Sequence, residues 1–218
     1  MSYLSHLTSL AFVTALLLAC AAMGAEKHVP MQADIDQVAV REDFSSVAAW
    51  TAQPSWLTNA SPTARVTTEA GVACFAVHEP GKGMKWSRKT PEISLSEMPY
   101  LVVRYRAESF SAKGTDYFVY LDEGGAKGQC NALRLEDVRT DEQWHTVAVN
   151  GLRVAAEPHV KAIAIQVQSL ADGKARVWVD WLMFSDRVPE GATELRAAPR
   201  PPAAPDWVAP LENATWNH

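Results

Sequence analysis

Several features that would point to a common class of enzyme or nucleic-acid-binding protein are missing from this chain. It has no Gly-x-Ser-x-Gly nucleophile motif, no His-Glu-x-x-His zinc motif and no glycine-rich phosphate loop. Basic residues are outnumbered by acidic ones, and the 218 residues carry a formal net charge of −5 at pH 7. A general nucleic-acid-binding surface needs an excess of basic residues. The composition therefore argues against a nucleic-acid partner.

The acidic residues also lack the arrangement that glycosidases use. The pairs Asp122-Glu123, Glu136-Asp137 and Asp141-Glu142 are each adjacent in sequence, and adjacent residues on a strand point to opposite faces. Such pairs cannot flank one glycosidic bond. A polysaccharide lyase needs only Tyr, His or Arg side chains, so it remains the enzymatic alternative. It would bring these side chains together in a deep groove.

Cysteine is scarce, with 3 residues in the chain. Cys20 lies in an apolar N-terminal run, whereas Cys74 and Cys130 lie in strand-like surroundings. No Cys-x-x-Cys pair or Cys/His spacing indicates a zinc site. Export would permit a disulfide between Cys74 and Cys130, and the alternative is that they are free and buried.

The N-terminal segment predicts export. Residues 1–24 contain no Lys, Arg, Asp or Glu, and the apolar run Leu10 to Met23 is too short to span a bilayer comfortably. We interpret residues 1–24 as a secretory signal peptide, residues 25–36 as a polar leader, and the protein as secreted, periplasmic or cell-surface, with no membrane span after signal removal. The alternative is a lipoprotein signal, in which Leu17 to Cys20 forms the lipobox.

Convincing amphipathic helices of more than about three turns are missing after this segment. Residues 37–187 are filled instead by short alternating segments with turn signals at roughly ten-residue spacing, which predicts an all-β antiparallel sandwich or barrel. Residues 188–218 are proline-rich and predict a stiff linker or tail. A linker would lead to further domains of a longer polypeptide, and the alternative is a frayed tail.

One strand organises this prediction. Arg176 to Ser185 is apolar on both alternating faces, which is typical of a strand buried on both sides. Strict alternation places Val177, Val179, Trp181 and Met183 on one face and Trp178, Leu182 and Phe184 on the other. Asp180 interrupts the apolar run. A buried carboxylate needs a cation, a metal or several hydrogen bonds.

Three short segments carry a resemblance to a known class of fold. They are Glu42-Asp43-Phe44 with Trp50 following, the segment Asp141 to Val147, and the closing Val179-Asp180-Trp181-Leu182. Residues 37–187 with these segments resemble the galactose-binding-like jelly-roll β-sandwich of many carbohydrate-binding modules. The resemblance implies a non-catalytic domain that binds a polysaccharide or another glycan. A structural or adhesion sandwich with no soluble ligand is the remaining alternative.

The resemblance also implies a structural calcium ion. Many such modules hold calcium between an acid near the first strand and the aspartate of the last strand. Asp180 matches the second position, and Asp43 or Glu42 is the candidate for the first. Calcium takes six to eight oxygen ligands, so backbone carbonyls would complete the site. The alternative is that Asp180 pairs with an arginine.

Sugar recognition needs a flat aromatic side chain for the ring and planar polar groups for the hydroxyls. Outward strand positions that meet this need are Arg104, Tyr120, Arg134, Gln166 and Gln168. Gln166 and Gln168 share a face with the small residues Ala162 and Ala164, which leave room for a ligand.

A second set of outward residues is basic. If the strands that carry these residues are neighbours, the residues form a basic patch that could bind an anionic polysaccharide. The alternative is that they are ordinary surface charges. This set comprises Lys82, Lys85, Arg88, Lys89, Arg104 and Arg106. Among the tryptophans nearby, Trp50 and Trp86 are predicted to lie in the core, whereas Trp56 is left open between core and ligand contact.

Overall fold

The structure is a computed structural model that describes residues 38–109, 117–122, 129–134, 137–155, 158–171 and 173–195. The predicted signal peptide, leader and most of the proline-rich tail lie outside these residues. Among the described residues, no helix is long and apolar enough to cross a membrane.

Twelve strands follow one another along the described residues, with single turns of 3-10 helix at Pro54–Trp56 and Gly151–Arg153. The strands are β1 Val38–Glu42, β2 Thr51–Ala52, β3 Arg65–Glu69, β4 Val72–Val77, β5 Gly83–Ser94, β6 Tyr100–Glu108, β7 Tyr117–Asp122, β8 Gln129–Arg134, β9 His145–Asn150, β10 His159–Gln168, β11 Ala175–Ser185 and β12 Thr193–Leu195.

The strands form two sheets. The major sheet has seven strands in the order β12-β9-β6-β11-β4-β3, with β1 also paired to β11. The minor sheet has five strands in the order β2-β5-β10-β7-β8. Pairing is antiparallel throughout, except that β12 runs parallel to β9. The predicted all-β jelly-roll sandwich is therefore confirmed.

Aromatic rings join the two sheets across the core. Phe75 of β4 lies 5.5 Å from Trp50 and 5.3 Å from Trp86 of β5, measured between ring centroids. Phe44 stacks on Trp50 at 5.5 Å. The predicted core positions of Trp50 and Trp86 are confirmed, since both are buried. Edge-to-face pairs of this kind add about 0.5–1.5 kcal/mol each beyond the burial of apolar area.

The central strand β11 is buried along nearly its whole length, as predicted, but its alternation breaks at Asp180. Val179 pairs with Tyr105 and Trp181 pairs with Arg104, so Asp180 is the extra residue of a β-bulge. Because of the bulge, each residue after Asp180 lies on the opposite face of the sheet from the one that strict alternation predicts. Leu182 joins Val179 in the core, whereas Trp181 and Met183 lie on the other side. The strict alternation predicted for this strand was wrong beyond Asp180.

Cys74 is a free and fully buried thiol. It lies on β4 of the major sheet, whereas Cys130 lies on β8 of the minor sheet. Of the two alternatives for Cys74, a disulfide or a free buried thiol, the free thiol is observed. Burial, reinforced by the nearby Glu69 carboxylate, raises the pKa of the Cys74 thiol to about 12. Because the thiolate is the reactive form, this cysteine is chemically protected in the folded protein.

We therefore expect iodoacetamide to leave Cys74 unmodified in the native protein at mildly alkaline pH. Peptide mass mapping would show modification of Cys74 only after unfolding in guanidinium. Labelling of Cys74 in the native state at the rate seen in the unfolded chain would contradict the buried position.

Candidate functional site

The outer surface of the minor sheet carries the pair of glutamines singled out by the sequence. Ile163, Ile165 and Val167 of β10 point into the core. Gln166 and Gln168 alternate with them and point away from it, together with Ala162 and Ala164. We call this outer surface of the minor sheet the glutamine face. The predicted alternation along β10 is observed.

The neighbouring strands complete the glutamine face. On β5, Lys85 lies opposite Gln166 and Ser87 lies opposite Ala164. On β7, Tyr120 also lies opposite Ala164 and donates its hydroxyl hydrogen to Gln166 Oε1 at 2.8 Å. The small side chains of Ser87 and Ala164 therefore form a low floor between Lys85 and Tyr120.

Lys85 crosses this floor. Its Nζ lies 3.9 Å from the centroid of the Tyr120 ring, and β10 lies between the strands that carry the two residues. The lysine side chain therefore runs over Gln166 to reach the ring. A cation–π contact of this kind is worth about 0.5–2 kcal/mol, so it helps to hold the lysine over the ring.

Gln166 is fully buried, and only half of its amide is satisfied. Its Oε1 accepts the Tyr120 hydroxyl, whereas its Nε2 meets no hydrogen-bond acceptor in the described part of the chain. An unsatisfied buried donor costs roughly 1–3 kcal/mol. The Tyr120 bond fixes the orientation of the amide, so the unsatisfied donor has a fixed position beneath the Lys85 side chain.

The edge of the glutamine face is formed by β2 and the 3-10 turn that follows it. Gln53 Nε2 donates to Ser87 Oγ at 2.8 Å, which ties this segment to the floor. Trp56 ends the turn and is 37% exposed. The sequence left open whether Trp56 lies in the core or contacts a ligand. The structure places it outside the core.

Arg104, a predicted ligand residue, does not share this face. It lies on β6 of the major sheet, on the outer side of the sandwich opposite to the glutamine face. The predicted basic patch required β5 and β6 to be neighbouring strands. They belong to different sheets, so this prediction was wrong. Within that set, Lys85 is buried over Tyr120 and Arg88 forms an ion pair with Glu42.

Arg134, another predicted ligand residue, ends β8 on the minor sheet, where its backbone pairs with Tyr117. Its side chain lies outside the described residues, so its role stays a prediction. Lys85, Ser87 and Gln53 were not singled out together from the sequence. The signal that would have found Lys85 and Ser87 is the alternation of β5, in which the buried Met84 and Trp86 leave these two residues pointing outward.

Asp180 has an arginine partner. Arg104 Nε lies 3.1 Å from Asp180 Oδ2, and the carboxylate is only 4% exposed. Asp43, the other predicted metal ligand, is exposed. Its carboxylate accepts the backbone N–H of Ser45, which lowers the pKa of Asp43 below its usual value.

These two acids do not by themselves make a calcium site. Among the described residues, no group of three or more His, Cys, Asp and Glu side chains converges on one point. The Arg104 guanidinium already balances one of the two carboxylates, whereas calcium needs six to eight oxygens, several of them charged. Calcium binding stays a prediction.

A separate cleft of about 200 Å³ lies at the β9 and β12 edge of the major sheet. Tyr105, Arg139 and His145 contribute to its lining, and these are the residue types expected of a lyase. The Tyr105 hydroxyl, however, accepts the backbone N–H of Arg139 at 3.0 Å, and burial raises the pKa of Tyr105. A tyrosine base would need the opposite shift.

Comparison with known proteins gives structural likeness only. No family model matches the chain, and no curated protein matches it. A family 29 carbohydrate-binding module complexed with cellulohexaose is 11% identical, with a TM-score of 0.45, over 69% of this chain and 89% of that chain. A family 29 module from Piromyces equi is also 11% identical, with a TM-score of 0.39, over 57% of this chain and 76% of that chain.

A family 11 module from Clostridium thermocellum, in complex with a β-1,3-1,4-mixed-linked tetrasaccharide, is 12% identical. Its TM-score is 0.44, over 71% of this chain and 95% of that chain.

Proposed function

We propose that this chain is a non-catalytic carbohydrate-binding domain that takes a glycan on the glutamine face. The observation that carries the proposal is the buried Gln166 amide, whose Nε2 has no acceptor among the described residues. A hydroxyl oxygen of a sugar would supply that acceptor. The cost of the unsatisfied donor in the free protein then becomes part of the binding energy.

The surrounding side chains suit a polyol. Ser87 and Ala164 have small side chains, and the Gln53 amide, whose Nε2 donates to Ser87, keeps an oxygen that can accept a hydrogen bond. Gln168 is buried and donates its Nε2 hydrogen to the Gly81 carbonyl, which fixes its amide at the end of the face. Tyr120 would offer its aromatic ring once Lys85 has moved away. The ligand reaches Gln166 when the Lys85 side chain leaves the Tyr120 ring. Lysine has a flexible four-carbon stem, so its head group can move to the edge of the face.

The expected export of the protein and its place in a longer polypeptide fit this function, because glycan-binding domains act outside the cell and alongside other domains. Both remain part of the proposal. The lyase alternative is weaker, because Tyr105 lies in the core and its pKa is raised. A structural domain with no soluble ligand would leave the aimed amide of Gln166 unexplained.

The test is a glycan-array screen of the full chain, followed by calorimetric titration of the strongest neutral ligand. Gln166→Leu keeps the side-chain volume and removes the amide, so we expect about a tenfold or larger loss of affinity. Thermal unfolding should change little, because the removal of an unsatisfied donor offsets the loss of the acceptor for the Tyr120 hydroxyl. Gln143→Leu, at an exposed glutamine in the turn before β9, is the matched control.

Two results would overturn the proposal. One is a folded protein that binds no glycan on the array. The other is a Gln166→Leu variant that binds the ligand as tightly as the natural protein does.

A further inference from the structure

Three arginines on β6 and β11 point outward from the major sheet, on the side of the sandwich opposite to the glutamine face. We call this surface, defined by Arg104, Arg106 and Arg176, the arginine face. Arg104 pairs with Asp180 at 3.1 Å, and Arg176 pairs with Glu108 at 2.8 Å. Arg106 differs from both, because it forms no ion pair and no hydrogen bond with any described residue.

Two indole rings hold Arg106 in place. Its Cζ lies 4.2 Å from the ring centroid of Trp178 and 5.7 Å from that of Trp144. Trp178 is itself anchored, since its Nε1 donates to Glu69 Oε2 at 3.0 Å. Contacts of a guanidinium with indole faces are worth about 0.5–2 kcal/mol each. The Arg106 side chain is therefore positioned before any ligand arrives.

The guanidinium of Arg106 is partly buried. Its Nε is buried without a hydrogen-bond partner in the described chain, and its two Nη groups take part in none of the described ion pairs. The two Nη groups thus present the fork that binds a carboxylate or sulfate through two parallel hydrogen bonds. Lysine could not offer this geometry.

Arg106 is the arginine of this face that lacks a carboxylate partner among the described residues. The carboxylates of Asp180 and Glu108 are each paired with another arginine, and the Glu69 carboxylate accepts the indole N–H of Trp178. The Arg106 guanidinium is therefore left to pair with the carboxylate or sulfate of a ligand.

We propose that the arginine face binds an anionic glycan, with its carboxylate or sulfate ester on Arg106. The partly buried indole of Trp144 lies beside the guanidinium and is also contacted by Arg104, whose Cζ is 5.2 Å from its ring centroid. The exposed part of this indole would contact the C–H face of the sugar ring. That neighbouring surface is what favours an acidic sugar over an acidic peptide. The site lies on the other sheet from the glutamine face, and its existence does not depend on the function proposed there.

Calorimetric titration of the full chain tests this proposal with three ligands of equal length: oligogalacturonate, its neutral methyl ester and a sulfated galactan oligosaccharide. The natural protein should bind one or both anionic ligands and should not bind the methyl ester on this face. Binding of the sulfated ligand alone would identify sulfate as the anion.

Arg106→Gln should reduce the affinity for the anionic ligand by about ten- to a hundredfold, because hydrogen bonds to charged groups contribute about 1.5–3 kcal/mol. Arg65→Gln removes an exposed arginine of the same sheet and should change the affinity by less than about threefold. If Arg106→Gln fails to fold, Arg106→Lys keeps the charge without the fork and should still lose most of the affinity.

The proposal is overturned if the acid and its methyl ester bind equally, if neither anionic ligand binds, or if the Arg106 variants bind as the natural protein does. The neutral-glycan titration of Gln166→Leu is a separate measurement, so either proposal can fail without the other.

Discussion

Replacement of Phe75 by alanine should lower the free energy of unfolding by about 3–5 kcal/mol, the range found for large aromatic residues removed from packed cores. Phe75 is fully buried and contacts rings from both sides of the sandwich, including Trp50 and Trp86. Its loss would leave a cavity between the sheets that neighbouring large rings cannot refill. Urea unfolding monitored by tryptophan fluorescence measures the change.

Leu152→Ala is the control for this experiment, because it also truncates an apolar side chain but at a position that is 45% exposed. We expect that variant to change stability by no more than about 0.5 kcal/mol. A loss of less than about 1 kcal/mol for Phe75→Ala would mean that the aromatic cluster does not hold the sheets together.

The second large effect is expected at the bulge of β11. Arg104→Met removes the guanidinium that lies 3.1 Å from the Asp180 carboxylate, which is only 4% exposed. Breaking one side of a buried pair costs about 3–5 kcal/mol. Arg104 is itself about one-quarter exposed, so we expect the loss of stability to lie near the lower end of this range. Asp180→Asn in the Arg104→Met background should recover part of it, and the double-mutant cycle measures the coupling.

Arg176 and Glu108 provide the matched control on the same face. Their pair is partly solvated, with side-chain exposures of 43% and 21%, so its removal should cost less than about 1 kcal/mol. A calcium ion at Asp180 would give a different pattern. Chelation with EDTA would then lower the melting temperature of the natural protein, and Arg104→Met would have little effect.

The faces of single strands could be predicted from the sequence because alternation is a local property. On β10, the apolar residues Ile163 and Ile165 point inward and Gln166 points outward, as the pattern indicated. On β11 the same reasoning failed after Asp180, because a bulge adds one residue to one strand only. The bulge is visible only when the partner strand β6 is known.

The grouping of the candidate site could not be predicted for a related reason. β5 and β6 follow each other in the chain but enter different sheets, which places Lys85 and Arg104 on opposite sides of the sandwich. Conversely, Tyr120 and Gln166 are far apart in sequence and meet because β7 and β10 pair. Which strands pair is set by the packing of the whole sandwich, which the local pattern of a strand does not reveal.

A binding site on the glutamine face is tested most directly by a nuclear magnetic resonance titration of the labelled full chain with its best neutral glycan ligand. Binding there should give saturable shifts of the Gln166 side-chain amide, together with backbone amides of β5, β7 and β10. The opposite result would be saturable shifts confined to the major sheet or to the cleft beside β12, with the Gln166 amide unmoved. That outcome would place the ligand elsewhere and contradict a binding site on the glutamine face.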